Sequence, residues 1–487
     1  MVSDRQLQDI AGKGNVSDEA ALLEAYAGDE SFVGKVRPRF VVRATSADTI
    51  QKLVNLAKET STPLVPVSSG APHFNGDTVP ATGDAVIVDL SGMKKIDLVH
   101  RVGRVAVFEP GVTFGELIPA VAKEGLRLNM PLQPRGAKSV VGSMLSREPV
   151  IMPHYHWDVS DPIGSTEVVF GTGEKFRTGS AANPGTIEEQ RKAGGVQKEA
   201  AGPSANSWHR VLQGAQGTMG IVTWASVRCE LLPQLEQPYF AGSTDLAKLL
   251  EAVHWLVRLR LGNECLILSS TDLAGLITKD DPAYARLVAN LPPWILFFNL
   301  AAYDYLPQQR MEGQIQDTKE LLQRIGLDTV ESLGDITAGE LLEAIRHPSA
   351  EPYWKLRRKG GCQDLFFLTT YAKIPGQIKI MTEAAEAAGF APAQIGIYLQ
   401  PIVQGTNCHV EFSLFYDPQD PTEARVVRKL ATSVIQPLMA AGAFFSRPFG
   451  EAAREIMNRD AATVEALRKV KAIVDPVGIL NPGKLCF

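Results

Sequence analysis

The sequence predicts an α+β protein of two domains. Its 487 residues are more than one hydrophobic core organises. Up to about Pro233 short strands alternate with a few amphipathic helices, and beyond it the strands turn aromatic, with longer helices between them.

From Arg37 the pattern is strand, helix, strand: "PRFVVRATS", "ADTIQKLVNLAKETS", "PLVPVSS". Ser46 is placed to cap the helix, and Ile50, Leu53, Val54 and Leu56 give it one apolar face. "AVIVDLS" and "RVAVFEPG" are further strands. The helix "TFGELIPAVAKEG" follows, with Thr113 as its cap and Gly125 beyond its end. "STEVVFGTGEKFRTG" reads as a hairpin turning at Gly171 to Gly173.

After Pro233, "QPYFAGS", "TDLAKLLEAVHWLVRLR" and "CLILSS" form a strand–helix–strand unit. "WILFFNLAAYD", "DLFFLTTYA", "QIGIYLQPIV" and "HVEFSLFYD" add strands, and "PTEARVVRKLATSVIQPLMAAG" adds an amphipathic helix. The expectation is an antiparallel sheet with helices on one face. The boundaries expected are an N-terminal extension over 1–35, a first domain over 36–233, a second over 234–445 and a C-terminal segment over 446–487.

A charged fraction of 21% and an apolar fraction of 45% describe a soluble globular chain. A net charge of −5 offers no attraction to nucleic acid. Five scattered cysteines without a CxxC pair argue against a disulfide framework, a zinc site or an iron–sulfur cluster. The N-terminus lacks the apolar core of a signal peptide, and no apolar run reaches the ~20 residues of a membrane span. A cytoplasmic homo-oligomer is the expectation.

The stretch "LVPVSSGAPHFNG", residues 64–76, runs from a strand into small residues. It reads either as an ordinary turn or as a loop whose exposed N–H groups and missing side chains let an anion approach.

Four stretches in order, "PVSSGAPHFNG", "FEPGVTFGEL", "GSTEVVFGTGEKFRTG" and "VLQGAQGTMGIVTWASV", together with "DPVGILNPGK" at the end, resemble the vanillyl-alcohol oxidase and para-cresol methylhydroxylase (PCMH-type) family of FAD proteins. The resemblance runs from about Arg37 to Phe487. It implies that the first domain and the C-terminal segment hold FAD while the middle domain caps the flavin ring. Ser68, Ser69, Gly70, Ala71, Pro72, His73, Phe74 and Asn75 would then surround the pyrophosphate. Gly142 and Ser143 after "SVV", and Gly217 and Gly220 in "GTMG", would pass close to the cofactor. Ile221 and Val222 would read the adenine, and Lys484 would sit near the flavin pyrimidine.

The resemblance loosens at the chemistry. Members that oxidise 4-alkylphenols hold a phenolate with an arginine and two tyrosines. The arginine matches Arg447, whereas the tyrosine positions carry Ser446 and Asn75. A carboxylate expected before "SVVG" is replaced by Gln133 and Arg135. Where some members link FAD through a ring before "LFF", this chain has Asp364, so non-covalent FAD is expected; Cys362 is out of register.

His154 and His156 alternate in "MPHYHWD" and read as a metal pair lacking a third ligand, as an active-site wall or base, or as packing. His409 reads as a base facing the flavin or as a satisfied interior histidine. Arg447, among Phe444, Phe445 and Phe449, calls for an anionic substrate or a structural carboxylate. "WILFFNL" and "DLFFLTT" read as core. "YWKLRRKGG", residues 353–361, reads as a solvated loop or a positive rim.

The function expected is hydride transfer from a benzylic or carbinol carbon of a 4-alkylphenol-like substrate to FAD, with Arg447 holding the phenolate and His154, His156 or His409 taking the proton. A 2-hydroxy-acid dehydrogenase gripping a carboxylate with Arg447 or Arg135 is one alternative. A non-redox or assembly-only protein on the same fold is the other. The electron acceptor is left open among oxygen, a cytochrome and another carrier.

Overall fold

A computed structural model describes residues 2–153, 162–182, 185–194, 204 and 206–487. The expected strand–helix–strand start is present. Val86–Asp89 lies between Phe40–Arg43 and Leu64–Val67 in a parallel arrangement, with the helix Ala47–Thr60 crossing over. Ser46 Oγ accepts from the Thr49 N–H at 3.1 Å, so the cap forms as read. Ile50, Leu53 and Val54 are buried; Ala57 rather than the half-buried Leu56 completes the stripe.

The first 35 residues are not an appendage. Val16–Ser17 pairs antiparallel with Phe40–Arg43 and becomes the edge of the same sheet. A two-residue strand is too short to announce itself by alternation.

The second sheet is antiparallel, in the order Ile96–His100, Val105–Phe108, Ile221–Leu231, Ile163–Val169, Lys175–Arg177, with Leu126–Leu128 also on Ile221–Leu231. The hairpin at Gly171–Gly173 and the Thr113 capping box both form.

The cap is one antiparallel sheet ordered Leu235–Ser243, Trp294–Ala302, Cys265–Ser269, Ile395–Ile402, Asn407–Tyr416, Gly361–Thr369. Helices cover both of its faces, not one. Phe298 packs in the cluster of the helices Leu246–Arg258 and Ile374–Ala388, while its neighbour Phe297 packs in the opposite cluster with Ser270–Ile277 and Ala338–Arg346. Both rings are fully buried. An uninterrupted apolar run marks a strand covered on both sides, where each such side chain contributes ~1.5–3 kcal/mol. Leu132 and Ile151 of the first domain complete the second cluster, so that face of the cap sits on the first domain.

The C-terminal segment docks on the first sheet. Leu64 N donates to Ile479 O and Asn481 N to Leu64 O, both at 2.8 Å. Buried Lys471 ties it down through Asp475 Oδ2 at 2.5 Å and the carbonyls of Thr218 and Leu480.

Candidate active site

Where the strand Leu64–Val67 ends, a cleft of about 1840 Å³, counted out to its mouth, opens between the first domain and the cap. Ser68, Ser69, Pro72, His73, Phe74 and Asn75 form one wall. Among the described residues, no acceptor takes the backbone N–H groups of the wall residues Ser69, His73, Phe74 or Asn75. A run of unspent donors is what an anion needs. His73 also leaves its buried Nε2 unpartnered, and burial with the Arg135 charge lowers its pKa to about 4. It is a neutral ring at pH 7.

Gly70 and Ala71 correct the expectation for this loop. Both are exposed and outside the cleft wall, Gly70 has no positive φ, and a Cβ built on it meets nothing within 4 Å. Gly70 instead offers its carbonyl to Arg135 Nη2 at 3.4 Å. The glycines that close packing requires are elsewhere. Gly217 has φ +73° and would place a Cβ 2.6 Å from Pro66 Cγ; Gly220 would place one 2.4 Å from Val168 Cγ2. Gly142 lines the cleft, and its Cβ would stand 3.0 Å from Ser68 Oγ. Ile221 and Val222 also line the cleft.

Two further expected contacts face elsewhere. Ser143 lies outside the wall and donates to Glu148 Oε2 at 2.7 Å. Lys484 also lies outside it, its ammonium spent on Gly76 O at 2.8 Å and Val79 O at 2.6 Å. Through these two carbonyls it pins the C-terminal segment to the loop.

At the cap end, adjacent strands set their side chains in a row. Tyr398 pairs with Glu411 and Glu411 with Phe366, so all three stand abreast on one face, with Asp364 two residues before Phe366. All four line the cleft. Lys355, buried in the turn Trp354–Leu356, donates to Asp364 Oδ2 at 2.7 Å and Glu411 Oε1 at 2.5 Å. Burial pushes the Asp364 carboxyl above its usual range. Burial works the same way on Glu411, but Lys355 and His409 outweigh it and hold that carboxyl well below. The two carboxyl groups around one ammonium are therefore shifted in opposite directions.

Arg447 occupies the same end, 7% exposed, its guanidinium 4.3 Å from the Phe366 ring centroid. Nη1 donates to Ser146 O at 3.1 Å, and among the described residues no carboxylate stands at ion-pair distance. Burial lowers its pKa, partly offset by Glu148. Of the two expectations for Arg447, the structural ion pair does not form among the described residues.

His409 is an interior histidine. It lies behind the wall, hydrogen-bonded to Glu411 Oε2 at 3.2 Å and against the rings of Phe366 and Tyr398. The group that reaches the cleft is Glu411. His154 and His156 lie outside the described residues. The run 353–361 is neither a solvated loop nor a positive rim at Lys355, because that charge is buried and neutralised by two acids. "WILFFNL" is core as read, while "DLFFLTT" divides: Phe367 is core and Phe366 is cleft wall.

Sequence reasoning missed Glu148, Tyr353, Lys355, Tyr398 and Glu411. Glu411 was within reach, since it stands two residues from His409 on one strand and shares its face. Glu148 supplies a carboxylate to the cleft just after the helix Val140–Leu145, whereas the resemblance points to the segment before it. Burial works to raise its pKa, but paired Lys138 and the Ser143 hydroxyl overcome that and keep it ionised.

Residues 38–179 match the FAD-binding domain family and residues 294–485 match the C-terminal domain of FAD-linked oxidases. An FAD-linked oxidoreductase of Mycobacterium tuberculosis is 24% identical over 98% of this chain and 97% of its own length. The flavoprotein subunit of 4-cresol dehydrogenase (hydroxylating) of Pseudomonas putida is 22% identical over 92% and 87%, and a glycolate oxidase subunit of Bacillus subtilis is 22% identical over 99% and 96%. The crystal structure of p-cresol methylhydroxylase with substrate bound superposes with a TM-score of 0.85 at 18% identity, over 99% of this chain and 96% of that one. The fold is the two-domain PCMH-type FAD-binding fold, and the cofactor is FAD. The free donors of the loop and the glycine-lined wall fit its pyrophosphate and length.

Proposed function

We propose that this FAD-linked oxidoreductase removes a hydride from the benzylic or carbinol carbon of a 4-alkylphenol-like substrate held as its phenolate by Arg447. The observation that carries this reading is a buried guanidinium in the cleft held by a carbonyl and an aromatic ring, with no carboxylate at ion-pair distance among the described residues. A buried cation without a direct ion-pair partner favours an anionic ligand, and phenolate charge opposite it helps expel hydride from the ring's side chain.

Bound FAD supplies the hydride acceptor. Phe366 and Phe449 wall the ring in and keep water from it. Asp364, raised by burial, suits the proton released from a substrate hydroxyl, with Lys355 holding the carboxylate in place until it takes that proton. Loss of hydride and phenolic proton leaves a quinone methide, to which water or an internal hydroxyl adds. No ring side chain stands at Asp364, so FAD is held without a covalent bond, and acid precipitation should release it from the polypeptide.

A second reading, oxidation of a 2-hydroxy acid, is favoured by Arg135. It is 4% exposed, lines the cleft, and has one long bond to Gly70 O and a contact with the Phe74 ring. Anaerobic titration with 4-ethylphenol, vanillyl alcohol, D-lactate and glycolate separates the readings by which class bleaches the flavin band. Bleaching by the acids alone overturns the phenol reading. Bleaching by none points to non-redox chemistry.

A further inference from the structure

A second chamber of about 680 Å³ shares Asp364, Phe366, Arg447 and Phe449 with the cap end of the cleft, and Phe74 and Asn75 with the far end of the loop wall. We propose that this chamber is the route by which substrate reaches the reacting end, with Ala431 and Ala452 setting the width of what passes. The inference rests on the reading that FAD lies along the first cleft with its reactive end at Arg447. A cofactor so placed fills the cleft from the loop inward and leaves the chamber, which Arg447 also lines, as the space beside the reacting end.

The lining suits a flat apolar body. Phe32, Leu365, Phe445, Ala452 and Ile456 form its walls. At its rim Arg428 and Glu451 form an ion pair between half-exposed side chains. Such a pair contributes little stability, so it opens at small cost.

One wall comes from the N-terminal segment Ser31–Val33, and its attachment is specific. Asp29 accepts from Ser31 N at 3.0 Å and from Gly76 N at 2.6 Å, and Glu30 N donates to His73 O at 2.8 Å. Phe32 stacks on Tyr416 of the cap at 5.3 Å. The same segment thus braces the phosphate-side loop and closes the chamber, which gives the N-terminal residues a part in substrate access as well as in the sheet.

The test uses the FAD-loaded enzyme reduced with dithionite and reoxidised anaerobically by 1,4-benzoquinone or the bulkier 2-tert-butyl-1,4-benzoquinone. Each takes two electrons and two protons from the reduced flavin to become a hydroquinone, so the readout is independent of the substrate class. Ala452→Trp should lower the second-order rate constant for the bulky quinone by about tenfold or more, and that for benzoquinone less, with FAD content and melting temperature retained. Glu451→Ala, which removes the rim pair, should leave both rates equal to or above wild type. If Ala452→Trp loses FAD or melts early, Ala431→Phe is read in its place. Unchanged rates for both quinones in a stable, FAD-loaded variant overturn the route. Failure of phenols to bleach the flavin overturns only the phenol reading.

Discussion

Arg127 Nη1 meets Glu264 Oε1 at 2.6 Å, joining the strand Leu126–Leu128 of the first domain to the residue that opens the cap strand Cys265–Ser269. Arg346 approaches the same carboxylate at 3.7 Å and Asn299 Nδ2 donates to it at 2.8 Å. Both members of the central pair are buried, so removing one strands the other. Arg127→Met should destabilise the protein by about 3 kcal/mol, the low end for a broken buried pair because Arg346 remains. Burial acts to raise the Glu264 pKa, and the two guanidiniums more than reverse it, so it titrates below its ordinary 4.5. Its contribution is complete above that value and is lost as the pH falls through the folded pKa. Denaturant unfolding of wild type and variant should therefore converge toward acid pH; a constant difference down to pH 3 would refute the assignment.

Asp272 behaves with the opposite sign. It is fully buried in the helix Ser270–Ile277, with neither carboxyl oxygen partnered among the described residues. Burial raises its pKa from 3.8 to about 8. The folded state holds the proton that the unfolded chain gives up, so stability falls as the pH rises from near 3.8 to about 8. Asp272→Asn keeps the shape and removes the titration. It should leave stability near wild type at pH 4 and raise it by a few kcal/mol, on the order of 4, at pH 8. Melting temperatures of the pair across that range decide it, and a variant no more stable at pH 8 than at pH 4, relative to wild type, refutes it.

For Arg447, the missing ion pair separates binding from folding. Among the described residues, Arg447→Ala leaves no carboxylate uncompensated at contact distance, so the melting temperature should stay close to wild type. Substrate-driven flavin reduction should fall about ten- to a hundredfold, as expected for a charge-assisted anchor worth roughly 1.5–3 kcal/mol. Lysine keeps the charge without the planar fork that lies over Phe366, so it should recover only part of the rate. A large loss of stability with unchanged reduction kinetics would mean that the guanidinium is structural.

The sequence made the sheets legible wherever an element carried its own signal. Ser46 and Thr113 announced their helices, and the apolar runs around Phe297 and Phe412 announced buried strands. The candidate site was harder because it is assembled across register. Nothing in "HVEFSLFYD" alone says that Glu411 will face Lys355 across the row formed with Tyr398 and Phe366. Nothing in "YWKLRRKGG" separates buried Lys355 from the rest of a basic run, since its neutralising acids come from strands 9 and 56 residues further on. Ser143 and Lys484 show the reverse error, in which a resemblance places a residue near the cofactor and local partners turn its side chain away.

The loop itself allows a paired test of which glycine matters. Gly70 has open space where a Cβ would stand and an ordinary φ, while Gly217 has φ +73° and a Cβ position 2.6 Å from Pro66 Cγ. A branched residue at 217 must distort the turn that carries Gln216 and the cleft wall beyond it, and a positive φ adds strain of about 1 kcal/mol or more. Gly217→Val should therefore reduce FAD content and thermal stability together. Gly70→Val should leave stability near wild type, and any loss it causes should fall on FAD affinity alone, through the loop's free N–H groups. Flavin-to-protein absorbance ratios and apoprotein melting temperatures separate the two effects. Equal behaviour of the two variants would show that close packing at Gly217 is not what shapes the cleft.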